Sequence, residues 1–170
     1  MATRIGNNRA PQILRAIEKA AAAALNRAAD SMRVEAQKRL AAETGLRQAA
    51  VKRRLRTERA SPGQLEVAVA VSGIPVPVVQ LGARQGPLGV TAGPRGARTL
   101  IRHAFLAKGR RGRAVFRRTT RKRGPLEAQL APSLAEIAGR EKILEAMLAR
   151  GERVFAERMR HELGRVRGGG

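Results

Sequence analysis

The chain has 170 residues with 35 Lys+Arg against 13 Asp+Glu, a formal net charge of +22. Self-repulsion at that charge opposes a compact free monomer, and such a chain works beside nucleic acid or inside an assembly. It has no Cys, which excludes disulfides, thiolate metal sites and Cys nucleophiles, and its only histidines, His103 and His161, lie far apart and cannot make a His-rich metal site.

Residues 1–9 are polar and read as a flexible N-terminus. Pro11 suits a first helical turn, where its missing N–H does no harm. Leu14, Ile17, Ala21, Leu25, Ala28 and Met32 then recur at spacings of three and four, which predicts one long helix over 11–42. Its Ala20–Ala24 run suits close helix packing. Thr44-Gly45 breaks it, with Gly45 free to take a positive φ. A short basic helix is expected over 46–57, with Leu46, Ala50 and Leu55 on one side and Lys52, Arg53, Arg54 and Arg56 on the other.

After the turn Ser61-Pro62-Gly63 the period changes to two. Leu65, Val67, Val69 and Val71 alternate with smaller or polar residues, the mark of a strand. Val76–Leu81 reads as a second strand, kept to an edge or a start by Pro75 and Pro77. The Gly- and Pro-rich tract 82–96 reads as a mobile loop. Three short strands follow at about 100–107, 113–118 and 126–131, the first two joined as a hairpin through Lys108-Gly109-Arg110-Arg111-Gly112. Ser133 three residues before Glu136 is a capping box. Ile137, Leu144, Leu148, Phe155, Met159 and Leu163 then form one stripe of a helix running to about 164, which Gly139 and Gly151 weaken. Gly168–Gly170 end the chain as part of a flexible tail over 165–170.

The order helix, helix, sheet, long helix defines an α+β fold, read as a single domain over 11–164. It comprises a long N-terminal helix and a short basic helix, a small mostly antiparallel sheet with a projecting hairpin and loop, and a long C-terminal helix. The two long helices are expected to pack together across one sheet face. Phe105, Phe116 and Phe155 are the only aromatics, so Ala, Leu, Val and Ile must form a thin core, and modest monomer stability with further burial on oligomerisation is expected. No apolar run reaches the roughly 18–20 residues that span a bilayer, so no membrane role is expected. Without an apolar h-region near Arg4 and Arg9 the protein reads as cytosolic at synthesis.

Charge is the strongest functional signal. From Val67 to Leu126 there is no Asp or Glu. Lys108, Arg110, Arg111 and Arg113 cluster at one hairpin tip, Arg117 and Arg118 follow, and Arg121, Lys122 and Arg123 form a second tip. Such density suits phosphate oxygens, by charge-assisted bonds and counterion release, or an acidic protein. Without interleaved aromatics, stacking on single-stranded bases is not expected, and any DNA contact should be to the backbone. Lys52, Arg53, Arg54 and Arg56 form a secondary basic group. The Gly82–Gly96 tract lacks both GxxxxGK[ST] and GxGxxG, so no nucleotide cofactor is implied. The helical carboxylates Glu141, Glu145 and Glu152 read as ordinary surface pairs with neighbouring Arg residues, and nothing has the geometry of an active site.

Several motifs occur in an order that resembles the minor tail protein Z family of long-tailed bacteriophages, also called tail completion proteins. They are Leu25-Asn26-Arg27, the break Glu43-Thr44-Gly45, the basic Val51-Lys52-Arg53-Arg54-Leu55, the strand PVVQLGAR, the hairpin AFLAKGRRGRAVFRR, and a Pro-Leu strand leading into a long helix. The likeness runs from about 11 to 164. It implies a structural virion protein, not an enzyme, at the head-proximal end of the tail. There it would form a homo-oligomeric ring around the DNA channel, with six-fold symmetry the natural expectation. Its neighbours would be the tail terminator, tail tube and head connector proteins, with channel DNA a further contact. A cellular nucleic-acid-binding protein, ribosome- or nucleoid-associated, is the alternative that charge and size allow.

Overall fold

A computed structural model describes residues 10–94, 96–109, 112–120 and 124–168. The expected flexible N-terminus, the last two glycines, Arg95 and both hairpin-tip groups Arg110, Arg111 and Arg121, Lys122, Arg123 lie outside the described residues. The fold is α+β. It opens with α1 (Ala10–Thr44), α2 (Gln48–Lys52), β1 (Leu55–Glu58), β2 (Ala68–Val71) and β3 (Pro75–Pro77). A 3₁₀ turn, Val78–Leu81, leads to β4 (Arg84–Gly86), β5 (Gly89–Ala92), β6 (Thr99–Arg102), β7 (Ala104–Gly109), β8 (Gly112–Arg118), β9 (Leu126–Ala128) and β10 (Leu130–Ser133). The chain closes with α3 (Leu134–Ala138) and α4 (Glu141–Gly168). It divides into two compact units, one of residues 1–34, 57–70 and 146–170, the other of 35–56 and 71–145.

In the first unit α1 and α4 pack closely through small residues. Ala20, Ala21, Ala24, Ala28 and Ala29 of α1 are buried. On α4, Gly151 meets Met32 so closely that an added Cβ would stand 2.5 Å from its Sδ. Arg150 Nε donates to Ser31 Oγ at 2.9 Å alongside. The Asn26 amide grips the backbone of Ala60 from both sides: Nδ2 donates to its carbonyl, and Oδ1 accepts from its N–H, each at 3.0 Å. Asn26 thus acts as a strand partner for a loop that has no strand beside it.

In the second unit α1 ends on a built stop. Thr44, buried at 6% exposure, donates from Oγ1 to the Leu40 carbonyl at 2.6 Å and accepts from Leu46 N at 3.2 Å. Gly45 has φ +73° and donates to the Ala41 carbonyl at 2.9 Å, a left-handed C-terminal stop. Its Cα lies so close to Pro94 that a Cβ would come within 2.8 Å of the Pro94 Cα. Glu43 pairs with Arg140.

Several elements differ from the sequence expectation. The basic helix stops at Lys52, and Leu55–Glu58 is strand, paired with β2. Leu55 is buried and Arg56 exposed, the period-two pattern overriding a weak helical one. The tract 82–96 is largely ordered: β4 and β5 pair antiparallel with Gly86 opposite Gly89, and β5 pairs onward with β6. Gly89 sits at φ +146° where a Cβ would reach within 2.2 Å of the Ile101 carbonyl, so the glycines there allow a close backbone approach. Val78–Leu81 is a 3₁₀ turn and not a strand. The sheet itself is four small antiparallel pieces, with orders β1-β2, β10-β3, β4-β5-β6 and β7-β8-β9. One cause is His103, whose φ of +58° divides an expected single strand into β6 and β7 in different sheets.

Ser133 caps α3 as predicted, accepting from Glu136 N at 3.1 Å. The expected continuous C-terminal helix breaks at Gly139-Arg140, between α3 and α4. The inward face of α4 also differs. Ile143, Met147 and Gly151 are buried, while Leu144 and Leu148 of the stripe read from sequence are 44% and 46% exposed. A core of Val78, Val90, Ala92, Ala104 and Val115 ties β5, β7 and β8 to the 3₁₀ turn.

Candidate polyanion and assembly interface

The β7–β8 hairpin is in full register from Ala104 opposite Arg117 to Gly109 opposite Gly112. Side chains alternate across a strand, so the two faces can be read directly. Ala104, Leu106 and Val115 face the core. Lys108 and Arg113 continue that face past the core toward the tip, directly opposite each other and exposed. Two like charges in that register repel unless an anion lies between them. Arg117, on the same face, lies opposite Glu127 and pairs with it at 3.6 Å.

The other face carries Phe105, Ala107, Ala114, Phe116, Leu126 and Ala128 by the same register. Gly109 makes room here: a Cβ on it would stand 3.0 Å from Phe116 Cζ. The two rings lie 6.3 Å apart, and the Arg118 guanidinium sits 5.7 Å from the Phe105 centroid, a cation–π contact. Arg118 with His103, Phe105, Arg117, Thr119 and Thr120 lines an open groove at this end of the sheet.

Of the predicted hairpin site, the structure therefore places Lys108 and Arg113 together on one face, Arg117 in an ion pair and Arg118 on the opposite face. The secondary basic group divides as well. Lys52 ends α2, Arg53 caps it, Arg56 is exposed on β1, and Arg54 Nη1 donates to the Ile74 carbonyl at 3.0 Å. Arg54 thus holds the chain ahead of β3. Arg98, which sequence reading did not single out, donates to the carbonyls of Gly82 and Thr91 and holds the 82–96 tract in place. Its signal was an arginine just past the end of a Gly- and Pro-rich stretch, where backbone carbonyls have few partners.

Within the second unit a cleft is lined by Val76, Val78, Leu81, Ala92, Ile101 and Leu130 among others. Its ionisable side chains, Glu43 and Arg140, are paired to each other. Among the described residues no group of three or more His, Cys, Asp or Glu could hold a metal ion. No described helix is long and apolar enough to cross a membrane.

Two long helices, small antiparallel sheets and a cation-bearing hairpin describe a basic α+β protein. The family model described as prophage minor tail protein Z (GPZ) matches residues 12–166, and the chain belongs to that family. No curated protein and no solved structure matches it. Membership makes it a structural component of a phage tail, with other tail or virion proteins as its partners. The motifs that carried the resemblance have physical roles here: Asn26 grips Ala60, and Glu43-Thr44-Gly45 stops α1 and ties it to Arg140 and Pro94.

Proposed function

We propose that the protein is a tail completion subunit that forms a ring around the DNA channel at the head-proximal end of the tail, next to the terminator and connector. The supporting observation is the stretch from Val67 to Leu126 without a carboxylate, carried partly on a hairpin whose Lys108, Arg113 and Arg118 are exposed and have no carboxylate on their own strands. Cations left unpaired in this way are matched by phosphate or by acidic neighbours. The role is structural and not enzymatic. Six chains at +22 each would place on the order of a hundred positive charges around one axis. Ring closure is therefore coupled to neutralisation by DNA or by neighbouring rings. The hairpin cations Lys108, Arg110, Arg111, Arg113, Arg117, Arg118, Arg121, Lys122 and Arg123 make that contact, with Lys52, Arg53 and Arg56 a secondary patch.

The test is Arg110→Ala, Arg111→Ala and Arg113→Ala together. The subunit should keep its fold by circular dichroism, and the yield of joined, infectious particles should fall at least tenfold. Unchanged yield removes the hairpin from the contact. A free nucleic-acid binder would instead hold duplex DNA as an isolated subunit, with affinity falling steeply as salt rises.

A further inference from the structure

The apolar stripe that the sequence marks on α4 is open over its first turns, at Leu144 and Leu148, and half-buried at Phe155. With about 100° of turn per residue, Leu144, Leu148 and Phe155 fall on one arc together with Glu141, Glu145 and Glu152. None of the Lys and Arg residues of α4 projects onto that arc. Leu144 and Leu148 are nearly half exposed, and all three glutamates are exposed. Among the described residues those glutamates form no ion pair, and Glu141 and Glu145 are like charges one turn apart. The arginine pairs expected for them from sequence are not made. In a chain of +22, an apolar stripe edged only by carboxylates is a surface with a partner.

The outer face of β7–β9 has the complementary character. Phe105, Phe116 and Leu126 form an apolar floor outside the buried core, with Arg118 over it. The only carboxylate of these strands, Glu127, belongs to the other face, with Arg117. Three strands span roughly 10 Å, the width of one helix.

We infer that the acidic, leucine-bearing stripe of α4 in one copy docks on the outer face of β7–β9 in the next copy. This rests on the ring reading above and names the surfaces that close it. Charge selects this pairing. An α4–α4 contact would set glutamates against glutamates, and a sheet-to-sheet contact would set Arg118 against its own copy, so a two-fold contact through either surface alone is repulsive. A contact between two different patches is head-to-tail and generates a ring when its rotation closes.

The chain has no Cys, so introduced thiols report without background. Leu148→Cys with Ala128→Cys, both at exposed positions, should give a ladder of cross-linked multimers when purified tails are treated with a short bismaleimide. Arg153→Cys with Ala128→Cys, on another side of α4, should give none. Glu145→Arg with Glu152→Arg should lower the multimeric fraction at least tenfold while the circular dichroism spectrum is kept. Multimers present by native mass spectrometry without the ladder, or an equal ladder from both cysteine pairs, overturn the docking assignment and leave the ring standing. Recovery of the chain from tails only as single subunits overturns both.

Discussion

Asn26 shows how much one side chain carries. It satisfies both backbone groups of Ala60, which is 7% exposed. Removing it leaves a buried N–H and a buried carbonyl without partners, a loss of about 1–3 kcal/mol per group. Asn26→Ala should therefore lower the thermal midpoint by several degrees, read by calorimetry. Asn26→Asp, which can still accept but not donate, should fall between the two. Gly45 is constrained twice, by φ +73° and by the Pro94 backbone within 2.8 Å of any Cβ. Gly45→Ala should cost more than the ~1 kcal/mol of an unfavourable φ alone, seen as a lower denaturant midpoint. The positive φ of Gly45 was legible from the Thr44-Gly45 break, but its contact with Pro94 and the role of Asn26 were not. A Leu-Asn-Arg turn of helix has no local partner for its amide, and the loop it holds lies 34 residues on.

At the scale of elements, Gly151 sets the approach of α1 and α4. Glycine in a helix interior is worse than alanine by about 1 kcal/mol, but a Cβ here collides with Met32. Gly151→Ala should gain stability in a Met32→Ala background and gain less, or lose, with Met32 present. The coupling in that double-mutant cycle should exceed about 0.5 kcal/mol. Ser133→Ala removes the cap of α3 and should cost about 1 kcal/mol. The elements were legible where a local rule decides: α1 from its three-four spacing, α3 from its capping box, β7–β8 from the Gly-flanked turn that joins them. They were not legible where tertiary contacts decide. The 82–96 tract carries every sign of a loop, and contacts distant in sequence order it: pairing with β6, the Arg98 side chain on its carbonyls, and Val90 and Ala92 in the core. On α4 two apolar stripes lie side by side. Sequence favours the one with the larger residues, while the close approach at Gly151 buries the other.

For the whole molecule the net charge governs behaviour. Repulsion spread over +22 is screened with a Debye length of about 10 Å at 0.1 M salt. The thermal midpoint of the isolated subunit should rise between low and physiological ionic strength, and rise further with sulfate or polyphosphate than with chloride at equal ionic strength. Equal effects of all anions would mean that no cation cluster binds anions specifically. The basic surface was legible as composition. Its division into a cationic tip face with Lys108 and Arg113 and an aromatic face with Arg118 was not, because it depends on strand register. Nor was the recruitment of Arg54 and Arg98 to backbone carbonyls, which gives two of the cations a structural role as well.

His103 holds a left-handed conformation that a β-branched residue resists. It is the corner at which one β segment leaves its first sheet and enters the next. Straightening that corner, as His103→Ile would tend to do, would swing the whole arginine-bearing blade onto the wrong heading without touching a single charge. The passage from β6 into the cation-bearing hairpin thus runs through one backbone torsion, outside any arginine.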